Sequence, residues 1–318
     1  MPDKTYYELI ILGAGPAGMT AAVYAARKQM DVLIISENVG GQTTWSAEIE
    51  NYLGYKFITG PELVGKFEEH VNEFNVPHEF TRVTRLSRPG ANFAIETDDG
   101  RTFTARAVIV ATGKSPRLLG VPGEKEFTGR GVTYCATCDG PLFSGKEVLV
   151  AGGGNSGLDA VVQLMKICPK VYLVERDPKL RADAVMVSRV TAAENVEILT
   201  ATAVVEIRGE TFVTGVTLKG LDDGAMRDIP VEGVFVEIGL VPNTDFVKEV
   251  LRLNPIGEVP VDCAARTGIP GLYAAGDVTD MPEKQIIIAA GDGAKAALGA
   301  YSYVVRLPAT DDWGRMST

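Results

Sequence analysis

The sequence predicts an α/β fold in which one nucleotide-binding domain is inserted into another. Three observations carry this. A short apolar strand runs into a glycine-rich turn and a helix twice over, at Tyr7–Gly18 and at Glu147–Gly157. Prolines and glycines cluster at two places that suit chain crossings between domains, Thr112–Gly123 and Leu240–Asn243. A length of 318 residues suits two cores better than one.

In the first repeat, the strand Tyr7–Leu12 enters Gly13-Ala14-Gly15-Pro16-Ala17-Gly18. An alanine-rich helix follows over Met19–Lys28, then a β-branched strand over Asp31–Ser36. In the second, Glu147–Ala151 enters Gly152-Gly153-Gly154-Asn155-Ser156-Gly157, followed by a helix over Leu158–Cys168 and a strand over Lys170–Val174. The pattern G-x-G-x-x-G has a physical reason. The first glycine permits a tight turn, the second lets backbone approach a pyrophosphate, and the third lets helix and strand pack closely. Each copy also has a carboxylate near the expected offset of about 20 residues. Glu37 lies 19 residues after Gly18, and Glu175 lies 18 after Gly157. A glycine-rich turn at an ordinary α/β junction explains one such match poorly and two in context worse. Two Rossmann-like units imply two dinucleotides. Glu175 accepts from a ribose 2′-hydroxyl and repels a 2′-phosphate, which favours NADH over NADPH. Arg176 and Arg181 either soften that preference or are solvated surface charge.

A third segment, Pro270–Val278, belongs to neither repeat. It follows the alternating stretch Gly233–Gly239 and precedes a small-residue helix from Ile286 onward. The first domain is therefore expected to be discontinuous, 1–117 and 246–318, with the second domain at 118–245.

Hydrophobic residues make up 46% and charged residues 23%, the profile of a soluble globular protein. The net charge of −10 repels phosphate backbones and anionic lipid, so neither nucleic acid nor membrane is an expected partner. The N-terminal residues lack a basic, apolar and cleavage-site sequence of regions, and Ile286–Val305 is broken by Asp292 and Lys295. The reading is cytoplasmic.

Of four cysteines, Cys135 and Cys138 form a C-x-x-C pair. Such a pair closes a disulfide within one turn and typically depresses one thiol pKa. The rival reading, half a zinc site, needs two further ligands, and Cys168, Cys263, His70 and His78 lack paired ligand spacing. No metal is expected. Cys168 and Cys263 lie in apolar sequence and read as buried inert thiols. Asp139 follows the pair, either as a turn former before Gly140-Pro141 or as a proton donor to a departing thiolate.

These motifs stand in the order GAGPAG, Gly40-Gly41-Gln42, Glu50-Asn51-Tyr52, Ala111-Thr112-Gly113, CATCDG, GGGNSG and Ala275-Gly276-Asp277-Val278. Over essentially its whole length the chain resembles low-molecular-weight thioredoxin reductases. Val132–Phe143, Glu237–Thr244 and Lys284–Ala290 are similar to the flavoprotein component of alkyl hydroperoxide reductase. That protein carries an additional N-terminal redox domain, whose place an external redox protein is expected to take here.

The resemblance implies FAD held by Gly13, Gly15, Pro16, Ala17, Ser36, Glu37, Gly41, Gln42, Asn51, Val83, Thr112, Gly113, Gly276, Asp277, Lys284, Gln285 and Ile286. Within this set, Glu37 meets the adenosine ribose, Gln42 and Asn51 approach the flavin end, Asp277 binds the ribitol chain, and Gln285–Ile286 offer backbone to the ring. It implies NAD(P)H held by Gly152, Gly154, Asn155, Ser156, Gly157, Glu175, Arg176 and Arg181. NADPH-dependent members carry His-Arg-Arg, three residues, then Arg where this chain has Glu175-Arg176-Asp177 and Arg181, a departure that again favours NADH. By the same resemblance Cys138 faces the flavin, Cys135 attacks a thioredoxin or thioredoxin-like partner, and the protein is a homodimer. An NADH-dependent reductase of a peroxiredoxin system, an NADH oxidase and a sensor that does not turn over are the rival readings. Hinge motion near Gly113–Pro116 and Val241–Asn243 is expected, because disulfide and nicotinamide must both reach one flavin.

Overall fold

The architecture is that of a computed structural model, which describes residues 4–46 and 49–307. The chain runs β1 (Tyr6–Ala14), α1 (Pro16–Arg27), β2 (Val32–Val39), α2 (Gly60–Asn72), β3 (His78–Phe80), β4 (Val83–Ser87), β5 (Phe93–Thr97), β6 (Thr102–Val110) and β7 (Lys114–Pro116). It continues through β8 (Val132–Thr133), α3 (Ala136–Asp139), β9 (Glu147–Ala151), α4 (Asn155–Leu164), β10 (Lys170–Val174), α5 (Ala184–Thr191), β11 (Val196–Leu199), β12 (Thr202–Gly209), β13 (Val213–Gly220), β14 (Met226–Ile229) and β15 (Gly233–Val236). It returns by β16 (Leu240–Pro242) to β17 (Leu272–Ala274) and α6 (Ile286–Val304).

Two compact units result. Unit 1 is Met1–Thr44, Pro61–Ser115 and Val241–Thr318, and unit 2 is Trp45–Gly60 and Pro116–Leu240. The segment Trp45–Gly60 falls within the stretch that the sequence gives to the first domain, yet it clusters with unit 2. Its Trp45 ring lies 6.2 Å from that of Tyr134, a long-range pairing with no local signature.

In unit 1 the sheet order is β3-β2-β1-β6-β5-β4, and β17 also pairs with β6. One strand serves two partners. Phe93–Glu96 of β5 pair antiparallel with the first half of β6, and Leu272–Ala274 of β17 pair parallel with its last three residues. β1 is covered on both faces, so it reads as one apolar run. Leu9 and Ile11 pack with α1 and α6, while Ile10 and Leu12 pack with Phe93, Phe103, Val247 and Leu251. The helices α1 and α6 approach closely. A methyl group on Gly293 would overlap the carbonyl oxygen of Ala17.

Unit 2 has a parallel sheet ordered β11-β10-β9-β15-β8 and a separate antiparallel sheet β12-β13-β14. Val148, Val150, Leu173 and Phe235 pack with Leu158, Val161 and Leu164 of α4. Leu149, Ala151 and Val174 pack with Val204, Val216 and Leu218. The two segments at the predicted crossings pair with one another as the ribbon β7–β16. Asn243 N donates to Gly113 O at 3.0 Å, and the Asn243 side chain donates to Thr112 O at 2.8 Å.

The mixed α/β fold with two dinucleotide-binding units is the one the repeats predict. Local boundaries differ. α1 begins at Pro16, not Met19, because Gly15 is its N-cap and proline is favoured in a first turn. α4 stops at Leu164, short of Cys168, where Asn195 donates to the carbonyls of Met165 and Cys168, both at 2.9 Å.

Candidate functional site

Each glycine fingerprint folds as strand, turn and helix, and its three glycines differ physically. Gly13 has φ +109°, and a methyl group on it would overlap the Ala111 carbonyl. One on Gly18 would overlap the Gly13 carbonyl. Gly15 meets nothing within 4 Å. In unit 2, Gly152 has φ +124° and closes on the Glu237 carbonyl, Gly157 closes on Gly152, and Gly154 meets nothing within 4 Å. The protein therefore needs the first and third glycines for its own packing. The second keeps space open at a helix N-terminus, as a bound pyrophosphate requires.

Around the first fingerprint, unit 1 gathers most of the residues expected for FAD. Gly40 N donates to Ala14 O at 2.8 Å, bringing Gly41 beside Gly15. Gln42 Nε2 donates to Lys114 O at 2.7 Å. Gly276, with φ +75°, packs against Ala17 and Ala289, so Asp277 comes to the same corner. Gln285 caps α6 and Ile286 opens it. Burial raises the Asp277 carboxyl above its usual range, with the charges of Lys284 and Lys114 working against that. Thr112 Oγ1 donates to Asn243 O at 2.7 Å. Pro16 opens α1, Val83 opens β4, and Ser36 lies near the end of β2 with its hydroxyl donating to Asn38 O at 2.6 Å. Glu37 is exposed beyond it. Asn51 is exposed and lies in the segment that clusters with unit 2.

Sequence reading passed over one pair here. Lys114 Nζ lies 2.5 Å from Glu258 Oε1, with the side chains 8% and 9% exposed. Lys284 Nζ stands 3.6 Å from the same oxygen and donates to Thr279 O at 2.6 Å. A buried ion pair of this kind is costly unless well satisfied. Asn254 supplies a further donor to Glu258 at 2.7 Å. The partners are 144 residues apart, so no spacing signal announces them.

Around the second fingerprint, Glu175 turns its carboxylate onto the glycine turn. Oε2 accepts from Gly153 N at 2.5 Å and Oε1 accepts from Asp177 N at 2.9 Å. Arg181 N donates to Gly153 O at 2.8 Å, while its guanidinium pairs with Asp177. Arg176 is exposed. Asn155 accepts from Asp183 N at 2.9 Å, and Ser156 is exposed in the first turn of α4. Sites for the adenosine end of a nucleotide are thus present on the turn, with a carboxylate, not a cationic cluster, nearest to it.

The redox pair lies in unit 2. Cys135 and Cys138 form a disulfide with Cα atoms 5.3 Å apart. Cys135 is the N-cap of α3, and its sulfur accepts from Cys138 N at 3.2 Å. Both cysteines are half-buried. Asp139 is buried and accepts from the Thr133 hydroxyl. Cys168 is buried, its thiol pushed up to about 11 by burial. Cys263 is exposed, contrary to the apolar character of its sequence surroundings, because it lies in an irregular turn outside the core. Among the described residues, no cluster of three His, Cys, Asp or Glu is placed to hold a metal, and no helix is long and apolar enough to cross a membrane.

The pyridine nucleotide-disulphide oxidoreductase family model matches residues 7–294. The chain belongs to that family. Thioredoxin reductase from Streptococcus pyogenes is 39% identical, with a TM-score of 0.91, across 96% of this chain and 100% of that one. The enzyme of the same name from Giardia duodenalis is 33% identical with a TM-score of 0.88, across 95% and 100%. Among curated relatives, the alkyl hydroperoxide reductase flavoprotein of Pseudomonas putida is 42% identical over 310 residues, 96% of this chain and 60% of that protein. A protein of Bacillus subtilis named NADH dehydrogenase is 41% identical over 305 residues, 96% and 60%. This member of the family therefore spans about 60% of the length of the curated relatives it matches.

Proposed function

We propose that this oxidoreductase moves electrons from NADH through FAD to the Cys135–Cys138 disulfide and on to a thioredoxin or thioredoxin-like protein. The observation that carries the reading is a half-buried disulfide in the same unit as a nucleotide-binding turn, in a chain with a second such turn in its other unit. Two dinucleotide sites and one disulfide match a relay of three stations. The flavin supplies hydride acceptance and two-electron transfer. The residues of the chain do the rest. Gly15 and Gly154 leave room for the two pyrophosphates, and Asp277 and Lys284 meet the flavin nucleotide. Glu175 takes the ribose of NADH. Cys135 attacks the partner disulfide as a thiolate, Cys138 resolves the mixed disulfide, and Asp139 hands a proton to the departing sulfur. We assign FAD binding to the discontinuous domain 1–117 and 246–318 and NADH binding to 118–245. The working enzyme is proposed to be a cytoplasmic homodimer.

A second reading is favoured by the curated relatives. Two of them are named for alkyl hydroperoxide reductase and for NADH dehydrogenase. In that reading the dithiol serves a peroxiredoxin through a small redox carrier.

Sustained NADH oxidation with thioredoxin disulfide, set against a peroxiredoxin with a separate carrier, distinguishes the two. The Cys138→Ser variant should stay yellow and be reduced by NADH yet reduce neither partner. A wild-type protein that undergoes a single stoichiometric reduction and stops would be a sensor, and the proposal would be wrong.

A further inference from the structure

Glu237 follows directly on the last residue of β15, and no motif announces it. Its backbone belongs to the nucleotide turn. Glu237 N donates to Ala151 O at 2.8 Å, and its carbonyl oxygen fills the space that a methyl group on Gly152 would need. Its side chain belongs to the redox turn. Oε1 accepts the N–H of Ala136 at 3.3 Å, and Ala136 stands between the two cysteines. One residue thus touches the first glycine of the fingerprint and the backbone of the disulfide.

The carboxyl is not an ordinary one. Burial pushes it up to about 7, the Ala136 N–H opposes this, and the charge of Asp159 on α4 adds to it. The other titratable groups on the surrounding elements are Asp139 and the cysteines on α3 and Tyr134 after β8. Asp139 accepts from Thr133, and the Tyr134 hydroxyl reaches Glu124 at 3.3 Å.

We propose that Glu237 and the reduced Cys135–Cys138 pair titrate as one coupled unit, the carboxyl holding a proton that the thiols give up and take back. The inference rests on the proposed role of the pair. Two electrons from reduced flavin break the S–S bond into two thiolates, and two protons make them thiols. In the return step, one thiol loses its proton, attacks the partner disulfide and expels a partner thiolate. The second then loses its proton, displaces the other partner sulfur and re-forms the Cys135–Cys138 bond. Two electrons and two protons leave as partner dithiol. Ionised Glu237 accepts a proton as the attacking thiolate forms and returns it to a departing sulfur. A thiolate and a carboxylate in one half-buried place oppose each other, so each raises the other's pKa.

The test needs neither nicotinamide nor partner, so its failure is separate from failure of the electron route. The holoprotein is reduced with dithiothreitol, desalted, and alkylated with iodoacetamide from about pH 5 to about pH 10. Mass spectrometry of the Cys135–Cys138 peptide excludes the signal of Cys263. Wild type should show two inflections, the lower one near pH 7. Glu237→Gln keeps an oxygen for the Ala136 N–H but cannot ionise. It should show one inflection and alkylate about three- to tenfold faster at about pH 8. Glu237→Asp should keep two. Asp159→Asn should move the lower inflection to lower pH, which tests the proposal even where the Gln variant folds poorly. A wild-type profile with one inflection, unchanged by Glu237→Gln or by Asp159→Asn, would overturn it.

Discussion

Gly18 lies so close to Gly13 that a methyl group on it would overlap the Gly13 carbonyl oxygen. Gly15, between them, meets open space. The fingerprint therefore contains glycines of two kinds. Gly18→Ala should destabilise unit 1 by about 1–3 kcal/mol, with or without flavin, as overpacking does. Gly15→Ala should change the stability of the flavin-free protein by less than about 1 kcal/mol. It should nevertheless lower flavin retention about tenfold, because its methyl group enters the space kept for the pyrophosphate. Thermal unfolding of flavin-free protein and flavin content after gel filtration check both. Equal flavin retention in Gly15→Ala and wild type would remove the pyrophosphate reading.

Nucleotide preference should turn on Glu175 and Asp177 together. A 2′-phosphate beside a carboxylate meets a repulsion of roughly 4 kcal/mol per charge pair at 4 Å and an effective dielectric near 20, reduced by solvent to about 1–2 kcal/mol. NADH should be preferred about tenfold or more. Asp177→Arg removes the ion-pair partner of Arg181 and adds a cation, so it should shift kcat/KM toward NADPH. Glu175→Ala should shift the ratio further but weaken both nucleotides, because Glu175 also holds the Gly153 N–H. Equal kcat/KM for NADH and NADPH in wild type would show that the arginines outweigh the carboxylate.

The buried Lys114–Glu258 pair makes a stability prediction with a definite pH dependence. Burial alone would raise the Glu258 carboxyl, but hydrogen bonds from Lys114 and Asn254 and the charges of Lys114 and Lys284 outweigh it, and the net shift is downward. A carboxyl with a depressed folded pKa stabilises above its unfolded value, about 4.3, and that contribution is lost as pH falls through the folded value. Lys114→Met should cost about 3 kcal/mol at neutral pH, at the low end for a broken buried pair because Lys284 remains nearby. The difference from wild type should shrink below about pH 4. Urea unfolding at neutral and acid pH measures it, and an equal penalty at both would mean that the pair is not charged in the fold.

The sequence made legible whatever is encoded at short range. The two fingerprints, the C-x-x-C and the strand Lys170–Val174 all depend on residues within a few positions of one another. Long-range pairings were not legible. The backbone contact of Glu237 with Ala136 spans 101 residues, and Lys114 with Glu258 spans 144. Glu237 looked like one residue of a strand end, since its place beside α3 depends on β15 lying next to both β9 and β8. The grouping of Trp45–Gly60 with unit 2 was hidden for the same reason. The aromatic pair Trp45–Tyr134 has no periodicity to reveal it.

The central claim is a relay in which the Cys135–Cys138 disulfide stores two electrons beyond the flavin. Anaerobic titration with NADH, followed by flavin absorbance and by alkylation of the cysteine peptide, tests it most directly. Wild type should take up about two equivalents per chain, one appearing as alkylated Cys135 and Cys138 and one as bleached flavin. Cys138→Ser should take up about one, all of it at the flavin. A wild-type protein that bleaches fully with about one equivalent while its disulfide stays closed would contradict the account.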